Sequence, residues 1–371
     1  MRKFGDSTTK RKCNFNKIKL FAVMKRHFVL RLASSFNKKT IIAIVLSITM
    51  LHSNSQDIHF SQFFEAPLLR NPSLAGIFTG DVRAQAVYRD QWNSFTNGYR
   101  SGSLNAEYKM PVGKADDFMT VGLQILYDKS GTVGLTTTQF LPALNYHKAL
   151  RDDKSMYLSL GFMGGLVQKR IDRSKMITNT SYETGGNSDG ETFASPNYSF
   201  LDGSVGASFN TTFGIEQQNS FFVGFAYHHL NKPENSFYGS TTEPLNPKYV
   251  ISGGVEFTVN DYAFFSIQAD QSFQGSFAET IFGALYSYKI GDPVKPSYII
   301  GGGAFMRLKD ALIPVIKIGY NPFEIAFSYD INLSQLKTVS QARGGFELSV
   351  AYIGFLDRYN SARDKVLSPR F

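Results

Sequence analysis

The chain has 371 residues and a formal net charge of +9, but the positive charge is concentrated at its start. Residues 1–39 contain twelve Lys or Arg residues and one acidic residue, so the remainder carries a formal charge of −2. A folded part that is not basic excludes the nucleic-acid partner that the overall charge would suggest.

The first predicted element is a secretory leader that covers residues 1–55. Its basic stretch is followed by an apolar run, residues 40–51, which is shorter than the roughly 20 residues of a membrane-spanning helix. Ser53 and Ser55 then place small residues before a cleavage site that follows Ser55. Initiation at Met24 gives a leader of ordinary length and makes residues 1–23 an over-extended start. A signal anchor is the alternative reading.

The only cysteine, Cys13, lies in this leader. The mature chain then has no cysteine, which excludes disulfides, cysteine metal sites and thiol nucleophiles there. A lipid anchor at the cleavage site is excluded as well, because the first mature residue is Gln56.

Residues 56–80 form a short segment before the first predicted strand. Its sequence from Asn71 to Gly76 is typical of turns, since Pro72 fixes φ and Gly76 frees it. We expect the segment to lie either on the periplasmic side of the strand structure that follows or inside it as a partial plug. Both positions stay open.

Residues 81–356 have the alternating pattern of amphipathic β-strands. In residues 118–128, for example, every second residue from Met119 to Tyr127 is apolar, and only Leu126 is out of step. Without an apolar helix, an exported protein spans a membrane only as a closed barrel. We therefore predict an all-β fold, a transmembrane antiparallel β-barrel of about 14 strands with a lipid-facing and a lumen-facing side. A soluble β-protein with an aromatic core is the alternative.

The connections between predicted strands alternate between compact turns and other loops, of which residues 171–198 and 231–247 are clearly long. Bacterial barrels have short periplasmic turns and longer outside loops. We therefore predict that the start of the first strand, the end of the last strand and the tail 357–371 are all on the periplasmic side. The predicted strands are 81–90, 98–110, 118–128, 135–148, 155–168, 199–213, 219–230, 248–259, 261–272, 277–290, 297–308, 312–320, 323–332 and 342–355.

Residues typical of catalysis or metal binding are sparse. His228 and His229 are adjacent, so on a strand they point to opposite faces and cannot jointly bind a metal. The glycines at 301–303 lie inside a predicted strand and do not open a helix, which argues against a phosphate-binding loop. We predict no enzyme activity, no cofactor and no metal site. Lumen-facing positions show no concentrated charge, which weakens the case for a porin with a charged constriction.

Seven longer motifs are more specific than a barrel requires. In chain order they are Gln56–Phe64 (QDIHFSQFF), Asn71–Gly76 (NPSLAG), Tyr88–Trp92 (YRDQW), His229–Phe237 (HLNKPENSF), Asp310–Ile313 (DALI), Ser328–Leu336 (SYDINLSQL) and Arg343–Leu348 (RGGFEL). With them, almost all of residues 56–371 resembles the PorP/SprF family of outer-membrane proteins from type IX secretion. That family often ends in Cys-Pro-Arg-Phe, whereas this chain ends Ser368-Pro369-Arg370-Phe371, so no role of a terminal thiol is carried over.

The resemblance implies an outer-membrane factor needed for export or surface attachment of a large cell-surface adhesin, including adhesins of gliding motility. Its partners are then the adhesin, other type IX components and outer-membrane lipid. A core component of the secretion machinery and a general small-solute porin are the alternatives. For Trp92, the alternative role is that of an anchor at the membrane interface. For the loop that begins at His229, the alternative is a segment that Pro233 stiffens for stability. The candidate partner-contact residues are Gln56, Asp57, Phe60, Ser61, Gln62, Asn71, Pro72, Gly76, Trp92, His229, Asn231 and Pro233.

Overall fold

The computed structural model describes residues 57–91, 98–113, 116–151, 155–186, 188–239, 244–334, 337–341 and 343–356. The predicted leader with its cleavage site after Ser55, the candidate residues Gln56 and Trp92, and the tail 357–371 lie outside these ranges.

Fourteen antiparallel strands form a closed barrel, which confirms the predicted fold. Each strand pairs with its neighbours in sequence, and β1 closes the barrel against β14, with Val82 opposite Gly354 and Gln91 opposite Gly345. The strands are β1 (Val82–Gln91), β2 (Tyr99–Pro111), β3 (Phe118–Ser130), β4 (Leu135–Ala149), β5 (Met156–Arg170), β6 (Asn197–Phe213), β7 (Asn219–His228), β8 (Lys248–Asn260), β9 (Ala263–Gln274), β10 (Phe277–Gly291), β11 (Pro296–Arg307), β12 (Ala311–Tyr320), β13 (Phe323–Asn332) and β14 (Arg343–Gly354).

The two faces of the wall differ as the alternation predicts. On β2, the outward residues Leu104 and Tyr108 are exposed, while the inward residues Asn105 and Glu107 are buried. Leu126, the apolar residue out of step on β3, faces inward and is fully buried in a cluster with Phe60. Its position in the pattern therefore reflects a contact inside the barrel. Among the described residues, no helix has the length and apolar character to cross a membrane.

The two ends of the barrel have different connections. At one end, the long-loop end, lie residues 171–196 between β5 and β6 and residues 229–247 between β7 and β8. The first of these loops contains a 3₁₀ turn, Arg173–Lys175, and a short helix, Asn179–Glu183. At the other end, the short-turn end, β1 begins, β14 ends, and compact turns join β8 to β9 and β12 to β13.

The two long loops pack against each other. Tyr238 donates its hydroxyl hydrogen bond to Glu191 at 2.5 Å, and Tyr198 donates to Asn235 at 2.7 Å. The rings of Phe193 and Tyr238 lie 5.0 Å apart between centroids. The described parts of both loops thus form one surface at the long-loop end.

Candidate functional site

Residues 57–81, here called the plug, lie inside the barrel rather than beneath it. The plug is built from three short turns: the 3₁₀ turns Phe63–Glu65 and Pro72–Leu74 and the helical turn Pro67–Arg70. Its hydrogen bonds and ion pairs reach inward residues of β1, β2, β4, β6, β7, β9, β11, β12, β13 and β14. Contacts on so many strands show that the plug is held around the circumference of the lumen.

A buried carboxylate on β13 joins the plug to two arginines of the wall. Asp330 accepts hydrogen bonds from Arg89 at 3.0 Å, from Arg307 at 2.5 Å and from the hydroxyl of Ser61 at 2.8 Å. The side chains of Arg89, Arg307 and Asp330 are at most 3 % exposed. A buried charge of this kind persists only when it is paired and hydrogen-bonded.

Glu347 on β14 completes this cluster. Its two carboxylate oxygens accept the backbone N–H groups of Ser61 at 2.6 Å and Gln62 at 2.7 Å, and Arg89 lies 3.2 Å away. Arg89 and Glu347 belong to β1 and β14, so the cluster spans the seam at which the barrel closes. We call Arg89, Arg307, Asp330 and Glu347 the seam cluster.

The expectation that lumen-facing positions carry no concentrated charge is therefore wrong. Each of the four strands β1, β11, β13 and β14 contributes one charged side chain to the seam cluster. Along the sequence these charges are far apart, and only the closure of the barrel brings them together. Further buried pairs add to the charge of the lumen, among them Arg70 with Asp270 at 2.5 Å and Lys317 with Glu65 at 2.7 Å.

Apolar contacts hold the plug between these charged regions. Phe64 stacks on Phe305 of β11 with 5.0 Å between ring centroids. Leu68 packs in a buried cluster with inward residues of β4 and β5 such as Leu141 and Met163. The wall is thus apolar at the places where the plug presents apolar side chains, which removes them from water.

The turn Pro72–Leu74 fits into a niche lined by glycines of three neighbouring strands. Asn71 caps the turn with its side chain, which accepts the backbone N–H of Ser73 at 2.9 Å. A Cβ atom at Gly161 of β5 would lie 2.5 Å from the carbonyl carbon of Pro72. Glycine permits this close approach of two backbones.

Gly206 of β6 and Gly224 of β7 complete the niche around the side chain of Asn71. A Cβ atom at Gly206 would overlap with the amide oxygen of Asn71, and one at Gly224 would lie 2.7 Å from its nitrogen. These three wall positions therefore leave room for the plug and for nothing larger than hydrogen.

Both adjacent histidines face the interior, so the prediction of opposite faces is wrong. β7 ends at His228, and His229 has a φ of 60°, which turns its ring inward. His228 contacts the carbonyl oxygen of Arg70 at 3.2 Å. His229 lies between two carboxylates, with Nε2 2.7 Å from Asp57 and Nδ1 2.8 Å from Asp202.

The environment of His229 favours its charged form. Burial by itself lowers the pKa of His229, but the carboxylates of Asp57 and Asp202 outweigh it and raise the pKa to about 9. The imidazolium therefore donates both of its N–H groups. Within the described ranges, no group of three or more His, Cys, Asp or Glu side chains is placed to hold a metal ion.

The candidate contact residues mostly contact the chain's own barrel. Asp57 is half-buried and Asn231 is exposed. Arg89, Asp330 and Glu347 are not among the residues predicted from the sequence, although they lie within the motifs Tyr88–Trp92, Ser328–Leu336 and Arg343–Leu348. The available signal for them is a charged residue at an inward strand position. The candidates that the structure buries are Phe60, Ser61, Gln62, Asn71, Pro72, Gly76, His229 and Pro233.

The barrel is similar in fold to solved outer-membrane proteins. The toluene transporter TbuX of Ralstonia pickettii has a TM-score of 0.45 and 10 % identity, with 79 % of this chain and 94 % of that chain covered. A FadL homologue of Pseudomonas aeruginosa has a TM-score of 0.43 and 11 % identity, with 78 % and 94 % covered. At this identity the similarity is one of fold and carries no function. No curated protein sequence matches the chain.

The family is shown by sequence. A family model described as type IX secretion system membrane protein PorP/SprF matches residues 52–352. Neither this family nor the barrel fold is a class of enzymes. The matched range includes the plug and nearly all of β1 to β14, so the motifs that converge on the plug lie within it. The chain therefore belongs to the PorP/SprF family of type IX secretion system membrane proteins.

Proposed function

We propose that this protein is an outer-membrane factor of type IX secretion that is needed for the export or surface attachment of one large cell-surface adhesin, with a role in gliding motility. Its outward apolar side chains contact the lipid of the outer membrane. The leader 1–55 directs its export and is removed after Ser55. Mature protein from the outer-membrane fraction should accordingly begin at Gln56 in N-terminal sequencing.

The observation that carries this proposal is the occupied lumen. The plug is tied to the wall by buried ion pairs, including the seam cluster and the pair of Arg70 with Asp270. A general porin needs an open aqueous passage. The interior of this barrel is occupied by the protein's own plug. This favours a role in which the loops and rims of the barrel contact another protein.

The long-loop end offers the more suitable surface for such a contact. Ile177 and Tyr182 of the first long loop are 72 % and 78 % exposed. Asn231 and Glu234 are exposed residues of the second long loop, which begins at the buried His229. We propose that these loops meet the adhesin, while the buried candidate residues act indirectly because they hold the plug.

The alternative within type IX secretion is a core component of the machinery. Proteomics of the surface and the secreted fraction of a deletion strain distinguishes the two. Loss of one adhesin with other type IX cargo intact supports the proposal, and loss of all cargo supports the core component. Normal cargo with altered solute uptake supports the porin.

A pair of matched variants tests which end of the barrel is used. Ile177→Ser combined with Tyr182→Ser removes exposed apolar area at the long-loop end. Val294→Ser removes it at the short-turn end, where Val294 is 83 % exposed. We expect the double variant to reduce the adhesin on the surface and the control to leave it unchanged. The opposite pattern would place the contact at the short-turn end.

A further inference from the structure

The plug crosses the whole lumen from one end of the barrel to the other. At the short-turn end, the backbone N–H of Asp81 donates to the carbonyl of Gly354 at 2.9 Å, beside the first pair of β1 with β14. At the long-loop end, the backbone N–H of Asp57 donates to Gln274, the last residue of β9, at 2.9 Å. The chain therefore enters the wall at one end, and the start of its plug lies at the other.

Asp57 is held at this position by side chains from the long-loop end. His229 of the second long loop contacts it at 2.7 Å, and Lys248, the first residue of β8, lies 3.9 Å away. Asp202 holds the other side of the His229 ring at 2.8 Å. The left-handed φ of 60° at His229 costs backbone energy that the two carboxylate contacts offset.

We propose that the N-terminus of the processed chain is displayed at the long-loop end, on the cell surface, and that His229 is the positioning residue that holds it there. The predicted first residue, Gln56, directly precedes Asp57, so no chain length remains for a return through the lumen. The N-terminus then forms part of the same surface as the two long loops. That this surface lies outside the cell rests on the proposed function. That the N-terminus and the two long loops lie at the same end of the barrel does not.

Thiol labelling in intact cells tests the display. The mature chain contains no cysteine, so Gly186→Cys, Val294→Cys and a cysteine inserted directly after Gln56, referred to as position 56, each introduce a single thiol. The insertion keeps Gln56 as the first mature residue, so the new thiol is not at the cleavage site. Gly186 is an exposed residue of the first long loop, and Val294 is an exposed residue of a short turn. With a membrane-impermeant maleimide, we expect position 56 to be labelled together with position 186, and position 294 only after permeabilisation.

The inference is overturned if position 56, like position 294, is labelled only after permeabilisation, or if position 56 is labelled neither before nor after it. If position 186 instead requires permeabilisation and position 294 does not, the orientation assumed in the proposed function is wrong. The N-terminus must still be labelled with position 186 in that case. The two proposals therefore fail in different ways.

The role of His229 is tested with a dye attached to the cysteine inserted after Gln56 in purified protein. We expect His229→Gln to increase the rotational mobility of the dye, seen as lower fluorescence anisotropy, while the barrel keeps its heat-modifiable migration. His228→Gln is the matched control, because His228 contacts Arg70 and not Asp57. Equal anisotropy of the His229 variant and the wild type would contradict the positioning role.

Discussion

The imidazole of His229 contacts the carboxylate of Asp57 at 2.7 Å, although the two residues are 172 positions apart in the chain. This contact joins the start of the plug to the loop that follows β7. Asp202 at the end of the lumen wall holds the opposite ring nitrogen at 2.8 Å. The three residues therefore link the plug, a strand and a long loop at one end of the barrel.

The contact of His229 with Asp57 should depend on pH with a defined sign. The pKa of His229 is raised from 6.5 to about 9, so its contribution is complete below pH 6.5 and is lost as the pH rises through about 9. For Asp57, burial raises the pKa, but His229 and Lys248 lower it further, to below its ordinary value of 3.8. Its contribution is therefore complete above that value and is lost only in stronger acid.

Anisotropy of the dye on the cysteine inserted after Gln56 measures this dependence. We expect high, constant anisotropy between pH 4 and pH 6.5 and a decrease between pH 6.5 and about 9. His228 and Lys248, the other titratable groups beside His229, remain in place in the His229→Gln variant, which should show no such transition. A wild-type signal that does not change, or a variant that changes equally, would contradict the prediction.

Arg89→Ala should be strongly destabilising. It removes the cation that contacts both Asp330 and Glu347 and leaves buried carboxylates under-compensated. Breaking a buried pair in this way typically costs about 3–5 kcal/mol. The temperature at which the folded band disappears in heat-modifiability gels should fall clearly.

Arg343→Ala is the control for this variant. Arg343 is an exposed arginine and the first residue of β14, at the long-loop end of that strand. Its loss should change the stability by less than about 0.5 kcal/mol. If both variants lower the transition temperature equally, the seam cluster is not what stabilises this part of the barrel.

The strands could be predicted from the sequence because their signal is local. All observed strand ends lie within two residues of the predicted ones. The alternation of apolar and polar residues is set by the pleat of each strand and needs no knowledge of its partners. Leu126, the exception to the pattern, is explained only by the structure, in which it packs in a buried cluster with Phe60 of the plug.

The contacts of the plug could not be predicted in the same way. The inward direction of Arg89, Asp330 and Glu347 follows from the alternation, but their meeting depends on the order and register in which the barrel closes. The position of His229 depends on a left-handed backbone that the sequence alone does not indicate. The motifs nevertheless marked most of these residues, because each motif contains a residue that holds the plug.

Gly161→Ala should destabilise the full chain through the plug. The added methyl group would lie 2.5 Å from backbone atoms of Pro72 and Ser73, which cannot move without disturbing the capped turn. Overpacking of this kind costs about 1–3 kcal/mol. In a variant that lacks residues 57–79, the same substitution should be neutral, because the turn it meets is gone.

Gly302→Ala controls for the loss of a strand glycine. A Cβ atom at Gly302 of β11 meets nothing within 4 Å, and the position faces outward. Heat-modifiability transitions of the wild type and of Gly161→Ala, each with and without residues 57–79, give a double-mutant cycle of four proteins. A cost of Gly161→Ala that persists without the plug would show that strand geometry, and not the niche, requires glycine there.

Removal of the plug should convert the barrel into a conducting channel. The plug supplies the side chains that neutralise inward charges, such as Arg70 for Asp270 and Glu65 for Lys317. Without residues 57–79, these wall charges become hydrated, and water can enter the lumen of the fourteen-stranded barrel. We expect the full chain to be silent in planar lipid bilayers and the deletion variant to show steady ionic currents. Restoring residues 57–79 as a synthetic peptide added to the short-turn side should reduce these currents. A full chain that conducts as well as the deletion variant would contradict the plugged lumen and would favour the porin.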